Sequence, residues 1–177
     1  MKKLLYIFIA GLTLFITSCS DDEWGNNNPE MEHVYYFGFQ DWGTFKNNLT
    51  YNVQQGDTVG IPVQFFSERV RSYDVTTFYY TQSTLTLGTD YQVVDADGST
   101  LNPNEAGAYS FVWPKAQKGI KRVYVKALNG MKGKVEIHTF NPNDTAAISY
   151  QNTVNNKTPE YEVRAFTQNY KVTINIQ

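Results

Sequence analysis

A two-residue hydrophobic period constrains this chain more than any other feature. From Tyr170 to Gln177, Tyr170, Val172, Ile174 and Ile176 take one face, and Lys171, Thr173, Asn175 and Gln177 the other. Val123, Val125 and Ala127 alternate with Arg122, Tyr124 and Lys126, and Val135 and Ile137 with Glu136 and His138. Val59, Ile61, Val63 and Phe65 alternate with Gly60, Pro62, Gln64 and Phe66. Side chains on an extended strand point to opposite faces in turn, so this pattern predicts half-buried strands. Further short runs rich in Val, Thr, Tyr and Phe place strands over 33–39, 49–54, 74–81, 91–94, 108–113 and 160–167. No window carries an apolar stripe at helical spacing.

Half-polar strands imply antiparallel sheets with one wet face, and two such sheets must bury their dry faces against each other. The expected fold is therefore all-β, an antiparallel two-sheet β-sandwich of immunoglobulin-like type. Pro62 lacks the N–H a ladder needs, so its strand is expected at an edge or bulged there. Asp97-Gly98 suits a tight hairpin, and Asn129-Gly130 and Asn141-Pro142 mark further turns.

The amino end reads as an address. Met1-Lys2-Lys3 precedes thirteen uncharged residues, Leu4 to Ile16. That run falls short of the roughly 20 apolar residues that span a bilayer but suits a signal-peptide core. Ile16-Thr17-Ser18-Cys19 then presents the single cysteine of the chain. This segment resembles the lipobox of bacterial lipoproteins, which implies that Cys19 is lipidated and becomes the first mature residue. Ser20-Asp21-Asp22-Glu23 resembles the acidic export signal of Bacteroidetes surface lipoproteins, which implies an outer-membrane protein at the cell surface, with the periplasmic face as the alternative. The expected organisation is a signal peptide over 1–18, a lipidated acidic spacer over 19–32 and one domain over 33–177. The remaining 159 residues, 19–177, suffice for a sizeable core.

A second resemblance lies in the middle of the chain. Val75-Thr76-Thr77-Phe78-Tyr79-Tyr80, then Gly88-Thr89-Asp90-Tyr91, then Gly119 and Val123-Tyr124-Val125 keep the order found in Calx-beta domains. Gly56 to Val63 fits that family's early strand. The resemblance covers roughly 56–128 and implies an immunoglobulin-like sandwich. Physically, Gly88 suits a positive-φ turn, Asp90 can cap loop N–H groups and Tyr91 can pack at the sandwich edge.

Composition narrows the function. The sequence pI near 5.7 argues against a nucleic-acid partner. With one cysteine there is no disulfide framework, and its lipidation leaves no thiol nucleophile. His33 and His138 lie far apart with no zinc-ligand spacing. No nucleophile elbow, phosphate loop or dinucleotide fingerprint occurs, so no catalytic residue, cofactor or metal is expected. Asp90, Asp95 and Asp97 crowd together in the manner of calcium ligands, yet Asp97-Gly98 is better used as a hairpin turn and Asp90 as a cap. Aromatics make up 15% of the chain. Trp42, Trp113, Tyr35 and Tyr36 are the candidates for exposed rings, which could stack on sugars or anchor a protein partner. The expected protein is a non-catalytic outer-membrane lipoprotein that binds a polysaccharide or assists a glycan-uptake complex. The alternative is an interaction lipoprotein that docks another envelope protein by a sheet edge or aromatic patch.

Overall fold

A computed structural model of the chain describes residues 31–40, 49–144 and 153–177. The chain divides into two units, Met1–Glu32 and His33–Gln177. The strands described below all belong to the second. In chain order they are β1 (Val34–Phe39), β2 (Leu49–Val53), β3 (Thr58–Phe66), β4 (Val75–Ser83), β5 (Tyr91–Val94), β6 (Ala108–Trp113), β7 (Gly119–Ala127), β8 (Gly133–His138), β9 (Val154–Lys157), β10 (Glu162–Ala165) and β11 (Lys171–Ile176). They form a six-stranded sheet in the order β5-β7-β3-β1-β10-β9 and a five-stranded sheet in the order β2-β11-β8-β4-β6.

The alternation read from sequence is what buries the core. Ile61, Val63 and Phe65 of β3 and Val123 and Val125 of β7 are fully enclosed, as are Val135 and Ile137 of β8 and Val172 and Ile174 of β11. Each such side chain contributes about 1.5–3 kcal/mol of burial. Of the strands, β9 alone escapes the sequence pattern, because Val154-Asn155-Asn156-Lys157 is amide-rich and carries no alternation.

Two expectations about pairing need correction. The sandwich is mostly antiparallel, but β1 pairs parallel to β10 and β2 parallel to β11. Also, β3 is a central strand between β7 and β1, without a ladder break at Pro62. The reason is local. The β1 ladder ends at the Phe39–Val63 pair, and Gln40 N–H donates to the Pro62 carbonyl just beyond it (3.0 Å). The missing donor of Pro62 thus falls where the neighbouring strand has run out.

The Gly88 to Tyr91 segment behaves as its chemistry suggests. Gly88 sits at φ +83°, Asp90 Oδ2 accepts from Thr86 N–H and Asp90 Oδ1 from Met131 N–H (both 2.7 Å), and Tyr91 is buried. These two bonds hold the Asp90 carboxyl below the usual carboxylate range. Gly130 makes the fit possible. A Cβ there would meet the Asp90 carboxylate and stand 2.7 Å from the Thr89 carbonyl.

One side of β4 is closed by side chains. Phe78 N–H donates to Asn155 Oδ1 (2.9 Å), and Asn155 Nδ2 donates back to the Phe78 carbonyl (2.8 Å) and to the Thr139 carbonyl (2.6 Å). Thr76 N–H reaches Tyr161 Oη (3.0 Å), while Asn156 Nδ2 donates to the Thr76 carbonyl (2.8 Å). Amides from β9 and the Tyr161 hydroxyl from the β9–β10 connection thereby replace the neighbour that β4 lacks along Thr76 and Phe78, because β8 pairs only with Tyr80–Ser83.

Candidate functional site

The outer strands of each sheet are where a sandwich meets other molecules, since an edge presents unpaired N–H and C=O groups. At the β5 edge the chain folds back on itself. Val94 bridges Thr100, and Leu101 N–H donates to the Val93 carbonyl (2.9 Å). β9 is four residues long and engaged with β4 through its amides. β6 is different. It is six residues, Ala-Tyr-Ser-Phe-Val-Trp, with no charge and no proline.

The register shows which of its groups face out. Phe78 stands opposite Ser110 and Thr76 opposite Val112. Both β4 residues spend their backbone bonds on Asn155, Asn156 and Tyr161, so these are the non-hydrogen-bonded pairs of the ladder. Ser110 and Val112 therefore aim their own N–H and C=O groups outward. The ends of this edge are occupied. Ala108 N–H donates to Asn104 Oδ1 (2.9 Å) and its carbonyl accepts from Asn104 N–H (2.9 Å), while Lys121 Nζ donates to the Val112 carbonyl (2.7 Å). The open window comprises Ser110 N–H, Ser110 C=O and Val112 N–H, which take no partner among the described residues. The Val112 side chain is 45% exposed beside it.

Behind the window the inward face is a stack of rings. Trp113 lies 5.0 Å from Phe65 at 15°, Tyr79 stacks on Phe111 (5.0 Å) and on Tyr109 (5.2 Å), and Lys121 Nζ stands 5.2 Å over the Trp113 ring. Trp113 Nε1–H donates to Thr77 Oγ1 (3.0 Å). Burial, and next the neighbouring Tyr91, pushes the Tyr109 hydroxyl up to about 12, and its Oη has no partner among the described residues. Tyr109→Phe removes an unsatisfied buried hydroxyl and is expected to raise stability by about 1 kcal/mol, read as a higher urea midpoint.

The turn after β6 is held in an unusual shape. Lys115 (φ 54°) and Ala116 (φ 51°) both adopt left-handed backbone, which non-glycine residues avoid. Asp74 Oδ1 accepts Lys115 N–H (2.8 Å), Arg71 N–H donates to the Lys115 carbonyl (2.7 Å), and Ala116 is fully buried. Strain held by surrounding contacts in this way is characteristic of functional segments.

The residues singled out from sequence fall in different places. Cys19 and Trp42 lie outside the described residues. Trp113 is only 2% exposed, which corrects the expectation of an exposed ring; the inward half of β6 needs it as core. Tyr35 is likewise buried, with its hydroxyl 2.8 Å from Tyr73 Oη, which in turn lies 2.7 Å from His33 Nδ1. Tyr36 is half-buried on the outer face of the six-stranded sheet, stacked on Phe166 (5.6 Å). Asp95 and Asp97 serve their own loop, and Asp90 ties its loop to Met131 in the β7–β8 turn. Asp97 Oδ1 accepts from Ser99 N–H (2.8 Å) and Asp95 Oδ1 from Ala96 N–H (2.7 Å). No metal-holding group of three converges among the described residues.

Ser110, Lys115 and Lys121 escaped the sequence reading. For the two lysines the signal is local charge. Between Glu105 and Glu136 the chain holds seven basic residues and no acid.

A polar cluster on β8 and β11 carries a pH dependence. His138 Nε2 lies 3.0 Å from Glu136 Oε2, Lys171 Nζ donates to Glu136 Oε1 (3.1 Å), and His138 Nδ1 is buried without a partner among the described residues. Burial lowers the His138 pKa, against the opposing pull of Glu136. An unfolded histidine takes up a proton near pH 6.5 while the folded one still resists. Stability is therefore complete above about pH 6.5 and falls as the solution is acidified below it. Denaturant midpoints measured on that acidification should decline, and His138→Gln should flatten the decline.

The sequence matches no known protein family and no curated protein. Among solved structures, CaCohA2 of Clostridium acetobutylicum is similar at 12% identity and a TM-score of 0.42, over 82% of this chain and 92% of that one. The third ScaB cohesin of R. flavefaciens, solved with a group 1 dockerin, is similar at 16% identity and a TM-score of 0.32, over 81% of this chain and 94% of that one. A family 123 glycoside hydrolase from Clostridium perfringens shares 9% identity at a TM-score of 0.32, over 74% of this chain and 23% of that one. Likenesses this loose carry no argument about function.

Proposed function

We propose that this chain is a non-catalytic interaction module of the cell envelope, tethered by lipid on Cys19, that docks another protein by adding a strand at β6. One observation carries the reading. β6 is an uncharged edge strand whose Ser110 and Val112 backbone groups face outward, backed by a rigid stack of rings. Strand addition draws its affinity from main-chain bonds and its specificity from side-chain contacts beside them. The tether is supported by the Lys2-Lys3 start, the uncharged run Leu4 to Ile16 and the placement of the single cysteine. An outer-membrane position at the cell surface is supported by Ser20-Asp21-Asp22-Glu23.

A glycan-binding reading draws instead on Tyr36 and Phe166, whose stacked rings lie on the outer face of the six-stranded sheet. It is the weaker one, because Trp113 and Tyr35 are committed to the core.

The test is photo-crosslinking of the full chain in its host envelope, with a benzophenone side chain at Ser110 or, as control, at exposed Thr58. A discrete protein adduct from position 110 and none from 58 is expected. Retardation by a polysaccharide in affinity electrophoresis, with no adduct from 110, would contradict strand docking in favour of glycan binding.

A further inference from the structure

Resting on that reading, we propose that the segment added at β6 is an acidic extended peptide of the partner, selected by basic side chains where β6 turns into β7. The window at Ser110 and Val112 fixes the main-chain register of an incoming strand. Beyond it, Lys115 and Lys118 stand exposed in the turn, and Lys121 and Arg122 follow as the third and fourth residues of β7, on opposite faces of that strand. None of these four is in an ion pair among the described residues. Their hydrogen bonds are to carbonyls, Lys121 Nζ to Val112 and Arg122 Nη1 to Gly60 (3.1 Å), and Lys121 Nζ also lies over the Trp113 ring, so none of the four ammonium and guanidinium groups has a carboxylate partner among the described residues. Of the acids nearby in fold or chain, Asp74 has Oδ1 occupied by Lys115 N–H, Glu68 lies in the preceding loop, and Glu105 stands before the opposite end of β6.

Lys121 has a second part in this arrangement. It is the group that closes the Val112 carbonyl, and an acidic residue paired with its Nζ would release that carbonyl for the incoming strand. Charge and ladder are thereby coupled. A neutral strand meets a window of three backbone groups, and an acidic one meets four.

Three labelled peptides with one alternating pattern, Val with Glu, Val with Gln and Val with Lys, separate the contributions by fluorescence anisotropy on the domain bearing its spacer. The acidic peptide is expected to bind about tenfold tighter than the neutral one at low salt, and the basic one not at all. That advantage should shrink with added salt and vanish in a Lys115→Glu, Lys118→Glu, Lys121→Glu variant. Ser110→Pro removes only an outward donor, spares the β4 ladder, and should weaken both acidic and neutral peptides. Acidic and neutral peptides bound equally, both lost in Ser110→Pro, would overturn charge selection and leave strand docking standing. No binding by any peptide would overturn the inference, and the Ser110 adduct still reads strand docking independently. Phosphatidylglycerol vesicles or alginate bound as tightly as the acidic peptide, with no effect of Ser110→Pro, would overturn it in favour of a general anion surface.

Discussion

Trp113→Ala is expected to cost about 4 kcal/mol of stability, within the range for emptying a large aromatic from a core. The indole is stacked on Phe65, capped by Lys121 Nζ and bonded through Nε1 to Thr77 Oγ1, itself fully buried. Truncation leaves a cavity at the junction of the two sheets and strips Thr77 of its partner. Because the domain is held by a total stability on the order of 5–15 kcal/mol, a loss of this size should be plain in urea or thermal unfolding. Trp113→Phe keeps the stack and loses only the hydrogen bond, so it should cost about 1 kcal/mol. A near-neutral Trp113→Ala would mean that the ring is not part of the core.

Asn155→Ala is expected to be nearly as damaging, about 3 kcal/mol, although the residue is only half-buried. Its amide satisfies the Phe78 N–H and C=O and the Thr139 carbonyl together. Removing it leaves three backbone groups short of a partner, each costing about 1–3 kcal/mol where water cannot reach and less where it can. Asn155→Asp retains an acceptor for Phe78 N–H but sets a carboxylate against two carbonyls, and should be no better. Unfolding midpoints of both variants, with unchanged denaturant slopes, check this.

These two residues also show what the sequence can and cannot carry. Strands whose apolar side chains alternate are legible because burial selects one face, as at Lys171–Ile176 and Gly119–Ala127. Val154–Lys157 was invisible because its work is done by amides, whose partners on β4 lie 77 to 80 positions away in the chain. The parallel pairings of β1 with β10 and β2 with β11 leave no mark in a single strand's pattern. Rings pose the opposite difficulty. The surplus of aromatics suggested exposed platforms, yet Trp113 and Tyr35 are used to fill the sandwich. Composition counts rings without saying which face they take. The edge itself was half legible. Ala108 to Trp113 reads plainly as a strand without charge, and the acid-free stretch that follows is visible in the sequence. That β6 ends its sheet, and that Ser110 rather than Phe111 faces outward, depends on the pairing partner of β4.

The most direct measurement is residue-resolved amide hydrogen exchange on the isolated domain. Slow exchange is expected at Tyr109, Phe111 and Trp113, whose N–H groups belong to the β4 ladder, and fast exchange at Ser110 and Val112. Adding the crosslinked partner, or the acidic peptide, should slow Ser110 and Val112 selectively. Slow exchange at Ser110 in the isolated domain would show the edge already closed, and would contradict docking at β6.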